Sequence, residues 1–415
     1  MSKRQLLLLL AVQLTLPMGS GCRTSRSAVD NNSPVRNSAE ATQWIRENLD
    51  FSVAQYKYLA ESTKAAGADF PRTLKDDGEL LLVPATDWTS GFFPGGLWYL
   101  YEYSNDQSLK DLALHFTHLL ENQRTNTSTH DLGFMIMSSF GHAYRLTGDE
   151  NFKPVIVDTA ETLAKRFNAQ TGCTRSWDFG AWKSPVIVDN VMNMELLYWS
   201  GAASKKPSLI AMANSHLDTT LKNHFRPDGS SFHLVDYDPQ TGAVLKRQTV
   251  QGYSDSSSWA RGQGWALYGY TMGYRFTKNP LYLDQAQRTA DFILSHKNMP
   301  TNFVPPWDFD VPLARTAPKD TSAAAIYASA LVELSEYAQG ERKSRYLSAA
   351  DTILKSLSTA RYRAEKVGDL GGFVLNHAVG WMSGNGDVDR PLVYGDYYYI
   401  EALIRRLKLA EQQAL

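Results

Sequence analysis

Two aspartates precede apolar segments that have the period of a helix, in the stretches "HDLGFMIMSSF" and "VDNVMNMELLYW". Asp131 and Asp189 each open such a segment, where an aspartate usually caps the helix and contributes about 1 kcal/mol. If two such carboxyl groups are buried close together, their pKa values rise and one of them can donate a proton near neutral pH. The two aspartates are therefore candidates for helix caps, for an acid–base pair, or for both.

Aromatic and hydrogen-bonding side chains occur near the starts of the same kind of segment. An aromatic ring can pack against the apolar face of a sugar, although a single tryptophan more often belongs to the core. The candidates for the walls of a site are Trp88, Trp177, Trp259 and Trp265, and the candidate donors are His233, Gln251 and Arg261. His130 stands next to Asp131 at the start of its segment. The sequence has no HExxH, CxxC, phosphate-binding glycine loop or GxSxG motif, so we predict no metal site and no serine hydrolase.

Six apolar segments alternate with six amphipathic ones along the chain. The apolar segments begin near Asp87, His130, Val188, Ser257, Lys319 and Tyr394. Helices that are apolar nearly all round belong inside a fold, and helices with one polar face belong outside. The alternation predicts an all-α fold, an (α/α)6 toroid of six helical hairpins with one short β-hairpin at 231–250. All inner helices then start at one rim, where their N-termini favour an anionic ligand, and Asp87 and Asp396 are expected there as well.

The N-terminal residues and the composition of the chain indicate where the protein acts and which partners it has. Residues 1–21 have the pattern of a secretory signal peptide, and "MGSGC" predicts a lipid anchor on Cys22, with secretion into the periplasm and an unmodified Cys22 as the alternative. Residues 22–39 are polar and predict a flexible tether, and 40–415 predict the catalytic domain. The net charge of −1 argues against a nucleic-acid partner. We predict an exported, periplasmic protein that is anchored in a membrane.

These motifs together resemble the unsaturated glucuronyl hydrolases, glycoside hydrolase family 88. The matching stretches are "DWTSGFFPG", "HDLGF", "VDNVMNMELLYW", "FHLVDYDPQTG", "QGYSDSSSWARGQGWALYGY" and "YGDYYYIEAL". The resemblance implies an (α/α)6 enzyme that removes the 4,5-unsaturated uronic acid left on oligosaccharides by polysaccharide lyases. It implies that no cofactor is needed and that the partner is the oligosaccharide itself.

The resemblance also implies roles for individual residues. Asp189 is expected to act as general acid and base, by protonating C4 of the vinyl ether and activating the water that adds at C5, and Asp131 is expected to support it. Substrate-binding roles are implied for His130, Trp88, Trp177, His233, Gln251, Trp259, Arg261, Trp265 and Ser383. The loop at 376–390 has Ser383 but no lysine, which favours heparin- or chondroitin-type disaccharides with little sulfate beside the scissile bond.

Three alternatives remain at this point. The chain could be an unsaturated rhamnogalacturonyl hydrolase that acts on pectin fragments, which shares the fold and the paired aspartates. It could be a lipoprotein that binds anionic glycans without turnover, although such a protein has no need of two aspartates. It could also be an inverting glycosidase on saturated chains, which needs two carboxyl groups separated by a water.

Overall fold

The computed structural model describes residues 34–67, 69–384 and 386–414. The predicted signal peptide and Cys22 lie outside these residues. The first helix begins at Pro34 and so includes residues 34–39 of the predicted tether; the boundary between tether and catalytic domain stays a prediction. Proline is well suited to the first position of a helix because it has no amide N–H, and an N–H at that position would have no intrahelical partner.

An inner and an outer layer, each with six helical positions, form the predicted toroid. The inner helices are α2 (Phe92–Ser104), α4 (Leu132–Ile136) with α5 (His142–Thr147), α7 (Asn190–Ala203), α9 (Ala260–Thr277), α11 (Thr321–Tyr337) and α13 (Val393–Ala414). A π-helical turn over Met137–Gly141 joins α4 to α5. The outer helices are α1 (Pro34–Ala66), α3 (Gln107–His118), α6 (Phe152–Ala164), α8 (Pro207–Asn223), α10 (Pro280–Ser295) and α12 (Gly340–Leu357), with 3-10 turns at Glu121–Thr125 and Asp369–Gly372.

Contacts between neighbouring inner helices close the ring. Each inner helix packs against the next one along the chain, and α13 packs against α2. The outer helices cover the seams, and α1 contacts both α13 and α2. None of the helices among the described residues combines the length and apolarity that crossing a membrane requires.

The difference between inner and outer layers follows from the sequence. In α11 every residue from Thr321 to Ser335 is buried, because alanine and branched side chains fill all its faces. In α12 only one stripe is buried, at Tyr346, Ala349, Ala350, Ile353, Leu354 and Leu357. This three- and four-residue spacing is that of a helix with one apolar face.

Short antiparallel strands connect the helices at the rim. They are β1 (Phe70–Leu74) with β2 (Leu80–Val83), β3 (Phe167–Asn168) with β4 (Cys173–Thr174), a sheet of β5 (Pro185–Ile187), β6 (Leu234–Tyr237) and β7 (Val244–Gln248), and β8 (Ala378–Trp381) with β9 (Gly386–Arg390). The hairpin predicted at 231–250 is present as β6 and β7, with Leu234 opposite Gln248. The prediction of a single hairpin is wrong, because the loop predicted at 376–390 is itself a hairpin and two further pairs occur.

Candidate active site

The two aspartates occupy N-cap positions without capping their helices. Asp131 precedes α4 and Asp189 precedes α7, and neither side chain accepts a hydrogen bond from its own helix. The N-cap of α11 behaves differently, since Asp320 accepts hydrogen bonds from the backbone amides of Ser322 and Ala323. A carboxylate at a helix start normally takes that role. Asp131 and Asp189 are therefore free to act on a ligand.

Asp189 is largely buried. Only 8% of its surface is exposed, and its Oδ2 atom has no hydrogen-bond partner among the described residues. Burial raises the pKa of Asp189 to about 7, while Arg261 opposes the rise and the negative charge of Asp131 adds to it. A carboxylic acid with such a pKa is still partly protonated at neutral pH and can therefore act as a proton donor.

His233 faces Asp189 in a defined tautomer. Its Nδ1 atom accepts hydrogen bonds from the backbone amides of Val250, at 2.9 Å, and Gln251, at 3.3 Å. The ring proton is therefore on Nε2, which lies 3.9 Å from Oδ2 of Asp189. Burial lowers the pKa of His233 to about 3, so the ring is neutral and brings a donor, but no charge, to the side of Asp189.

Asp131 is the second member of the pair. It accepts a hydrogen bond of 3.0 Å from the hydroxyl of Thr129, its Oδ1 lies 3.5 Å from Nε2 of His130, and 17% of its side chain is exposed. Burial raises the pKa of Asp131 to about 7 and lowers the pKa of His130 to about 3. His130 is thus a neutral neighbour. The negative charge of Asp131 is one of the groups that raise the pKa of Asp189.

Both aspartates line a pocket of about 270 Å³ at the rim where the inner helices begin. Seven of the predicted site residues form its walls: Trp88, His130, Asp131, Trp177, Asp189, Gln251 and Arg261. The prediction that helix N-termini bring unlike groups to one rim holds for these residues. Asp87 and Asp396, expected at the same rim, do not line the pocket. Asp87 pairs with Arg72 and its charge acts on Asp131, and buried Asp396 accepts backbone hydrogen bonds from Val374 and Leu375 at 2.8 Å.

Four predicted binding residues do not line the pocket. His233, Trp259 and Trp265 stand behind its wall and are at most 4% exposed, because their rings pack into the core. Trp259 supports the guanidinium of Arg261 at 4.6 Å from its ring centroid, and the indole N–H of Trp265 favours the ionised form of Asp189. Ser383 lies at the tip between β8 and β9, where its hydroxyl donates to the carbonyl of Gly252 at 3.4 Å.

Most hydrogen bonds of Arg261 go to other residues of the protein and not into the pocket. Its guanidinium is 1% exposed and donates to Asp320 at 3.2 Å, to the carbonyl of Val379, and to the carbonyl of Gly380 at 2.6 Å. Only Nε has no partner among the described residues. Arg261 therefore joins the start of α9 to the β8–β9 hairpin, and it places a fixed positive charge at the edge of the pocket.

Two phenylalanines complete the pocket and were not predicted. Phe179 is 68% exposed and its ring stacks on Trp177 at 5.2 Å with an interplanar angle of 13°. Phe134 lies on the floor against Trp265, at 5.0 Å between centroids. It also lines a second cavity of about 430 Å³ on its other side, so the floor separates the two spaces. Phe179 lies in a loop and Phe134 lies on an apolar inner helix, so neither has a sequence signal that would distinguish it from an ordinary loop or core residue.

Comparison with known proteins agrees with this geometry. Residues 68–403 match the model of Glycosyl Hydrolase Family 88. The chain belongs to this family. It is 44% identical over 345 residues to an unsaturated glucuronyl hydrolase of Formosa agariphila, covering 82% of this chain and 85% of that one. It is 33% identical over 351 residues to an unsaturated chondroitin disaccharide hydrolase of Streptococcus agalactiae, covering 82% and 87%.

The solved structures extend the comparison to the fold. The crystal structure of an unsaturated glucuronyl hydrolase specific for heparin superposes with a TM-score of 0.86 at 44% identity, covering 89% of this chain and 98% of that one. The predicted family, the toroidal fold and the glycosidase activity that removes an unsaturated uronic acid from oligosaccharides are confirmed. Among the described residues, no group of three or more histidine, cysteine or acidic side chains is arranged to hold a metal ion.

Proposed function

We propose that Asp189 catalyses both proton transfers in the removal of a 4,5-unsaturated uronic acid. The observation that carries the proposal is a carboxyl group at an N-cap position that caps nothing, is buried, and has its pKa raised to about 7. A group with this pKa is present in both protonation states near neutral pH. It can therefore give a proton in one step and take one in the next.

The reaction follows from the chemistry of the vinyl ether. Asp189 gives its proton to C4, the C4=C5 electron pair forms the new C–H bond, and positive charge develops at C5 and the ring oxygen. Water adds to C5 and loses a proton to the Asp189 carboxylate, which restores the acid. The resulting hemiketal opens, and the glycosidic oxygen leaves with the shortened saccharide. One water is consumed, and Asp189 ends as it began.

The surrounding groups favour an anionic sugar in this reaction. The uronate carboxylate would sit near the fixed charge of Arg261 and the positive ends of the inner helices. Asp131, when ionised, can accept hydrogen bonds from sugar hydroxyls and stabilise positive charge that develops on the ring. Trp88 and Trp177 offer apolar faces on the pocket wall, and Phe179 extends that surface toward the next sugar.

The preferred substrate in our proposal is an unsaturated heparin-type disaccharide with little sulfate beside the scissile bond. The relative specific for heparin supports this choice at 44% identity, whereas the chondroitin disaccharide hydrolase is 33% identical. The β8–β9 hairpin presents no lysine. Its two aspartates are occupied, since Asp387 pairs with Arg72 and Asp389 with His377. A sulfate on the next sugar would thus meet no free cation from this hairpin.

The test is the loss of ultraviolet absorbance of the conjugated alkene. Purified protein is mixed with unsaturated disaccharides from heparin, chondroitin, hyaluronan and rhamnogalacturonan, with and without sulfate, beside an Asp189→Asn variant. Fastest loss on low-sulfate heparin-type disaccharides, and none with the variant, is the expected result. Preference for the rhamnogalacturonan product would instead favour the pectin-fragment alternative, and binding without turnover on any sugar would favour a glycan-binding protein.

We further propose export to the periplasm and lipid attachment at Cys22. The support is the sequence of the first 22 residues, in which two basic residues precede an apolar run that ends in small residues before the cysteine. Mass spectrometry of the mature N-terminus and the membrane fraction of a Cys22→Ser variant test this point. A soluble mature form that begins elsewhere in both proteins would contradict it.

A further inference from the structure

A basic cavity lies behind the loop that carries Trp177 and Phe179. Its volume is about 350 Å³. Segment 175–179 separates it from the active pocket, because Trp177 and Phe179 line the pocket whereas Arg175 and Asp178 line the cavity. The charged side chains of the cavity wall are four cations and one carboxylate: Lys165, Arg166, Arg175, Lys183 and Asp178.

Two arginines stand side by side at the base of the short hairpin β3–β4. Arg166 precedes β3 and Arg175 follows β4, and the backbone amide of Arg175 donates to the carbonyl of Arg166 at 3.1 Å. Like charges at opposed positions of two antiparallel strands are destabilising. Asp178 bridges them, at 2.8 Å from Nη1 of Arg166 and 3.3 Å from Nε of Arg175. One carboxylate is thus shared by two guanidinium groups, and their charge is compensated only in part.

The two guanidinium groups differ in what they leave free. The side chain of Arg166 is 6% exposed and donates to the carbonyls of Thr127, at 2.6 Å, and Arg175, at 3.0 Å, so its charge is fixed in the wall. The side chain of Arg175 is 36% exposed, and its Nε atom donates to the carbonyl of Trp177 at 2.9 Å. Its two terminal amino groups have no hydrogen-bond partner in the part of the chain that the structure describes. They are available to a ligand.

Two lysines bring further charge from other segments. Lys165 directly follows α6 and forms no ion pair with any described residue. Lys183 is 60% exposed and pairs with Asp238 at 3.0 Å, while buried Asp236 accepts from the backbone amides at 183 and 184. The dipole of α6 would explain a cation at Lys165 alone. It does not explain Arg175 or Lys183, which belong to no helix.

We propose that this cavity is a second anion-binding site, which takes the sulfate or carboxylate group of an acidic glycan or the corresponding free anion. The terminal amino groups of Arg175 can donate to two oxygens of such a group, and Lys165 and Lys183 add charge around it. The anion would complete the compensation that Asp178 makes only in part. This site takes no part in the reaction steps, so the inference goes beyond the proposed function.

The first test is calorimetric titration with sodium sulfate, against sodium chloride of equal ionic strength as the blank. Lys165→Gln removes the unpaired charge and should raise the Kd for sulfate about 2- to 5-fold, and Lys165→Gln with Lys183→Gln should raise it about 4- to 25-fold. The matched control is Lys64→Gln, in the last turn of α1, which lines neither the cavity nor the pocket. It should keep the parent's Kd.

Two measurements place the bound anion. Because Arg175 holds the carbonyl of Trp177, sulfate should slow hydrogen exchange of the amides at 175–183, and it should do so less in Lys165→Gln. Arg261→Met, which alters the active pocket, should keep the parent's Kd for sulfate. Weaker binding in Arg261→Met with the parent's Kd in both lysine variants would put the sulfate in the active pocket and overturn the inference.

A saturated heparin-type oligosaccharide separates the two sources of the anion, since it has no C4=C5 bond to react. It is titrated in its sulfated and desulfated forms. If Lys165→Gln weakens binding of the sulfated form by the factor found for free sulfate, the glycan supplies the anion; if it weakens only free sulfate, the site takes a free ion. An affinity for both probes that is the same in the parent and the double variant would overturn the inference, as would a parent that binds neither.

The failure of this inference is distinguishable from the failure of the proposed function, because every readout is binding or exchange. A parent that binds sulfate at this cavity but processes no unsaturated disaccharide refutes the proposed function alone. A parent that processes disaccharides but binds neither probe refutes the second anion site alone.

Discussion

Replacing Arg261 by lysine should loosen the β8–β9 hairpin from the toroid. The guanidinium donates to two adjacent carbonyls of β8 and to Asp320, and a lysine ammonium cannot reach all three from one position. Hydrogen bonds that involve a charged group contribute about 1.5–3 kcal/mol each. Losing one or two of them should cost the docked hairpin about 2–4 kcal/mol, because some of the loss is recovered by water.

The assay is hydrogen exchange of the backbone amides of the hairpin, followed by mass spectrometry of the peptide that contains 378–390. If exchange proceeds through local opening, about 2–4 kcal/mol corresponds to protection that falls roughly 30- to 900-fold. The amides of α11 serve as the internal reference and should keep their protection, since this inner helix is buried on all faces. KM for the disaccharide should rise as well, because the hairpin backbone contacts Gln251 on the pocket wall.

Two results would contradict this reasoning. If hairpin protection stays at the parent's level while KM rises, Arg261 acts on the uronate directly and its bonds to the hairpin contribute little. If protection falls equally in α11, the variant has destabilised the whole domain, and the hairpin is not a separately opening unit. Arg261→Met, which also removes the charge, should reproduce the loss of protection and raise KM further.

Three other predictions concern the pocket. The protonated form of Asp189 is the acid and its pKa is about 7, so kcat/KM should fall about tenfold for each pH unit above 7. The absorbance assay in buffers of constant ionic strength measures this fall. A flat profile up to pH 9 would exclude Asp189 as the acid. Phe179→Ala should raise KM about 2- to 10-fold with little change in kcat, since it removes an exposed ring from the pocket wall. The control is Phe276→Ala. Phe276 is also exposed but lines the second cavity, so its loss should leave both constants unchanged. Gly133→Ala should lower the free energy of unfolding by about 1–3 kcal/mol, because the new Cβ would lie 2.5 Å from Cα of Asn193. Unfolding in urea measures this change. Unaltered stability would mean that α4 and α7 can move apart at no cost.

Helix periodicity was sufficient to predict the toroid. Inner helices are apolar on all faces and outer helices on one face. The sequences of α11 and α12 show this difference before any contact between helices is known. The small hairpins were harder, because two-residue strands such as β3 and β4 have no period to detect. The turn "DDGE" between β1 and β2 did offer a signal, since Gly78 has a φ of 85° that an Asp-Gly turn favours.

The sequence predicted which residues belong to the site better than it predicted their arrangement. Asp131 and Asp189 could be predicted because both stand at the N-termini of inner helices, which all begin at one rim. The sequence could not distinguish Trp177, which faces the pocket, from Trp259 and Trp265, which support it from behind, because depth depends on how neighbouring loops pack. It also gave no sign that Asn193 on α7 accepts a hydrogen bond from the backbone amide of Phe134 on α4, because the two residues are 59 positions apart in sequence.

The closed floor at Phe134 has a consequence for how the enzyme would meet a polymer. A pocket that ends in packed rings admits a chain terminus and cannot be threaded, so the concentration that governs the rate is that of chain ends and not of sugar units. A long polysaccharide offers one such end per molecule, and each internal cut made upstream adds another. Flux through this protein should therefore follow the number of cuts made by the eliminating enzyme before it, even when the total mass of glycan is constant.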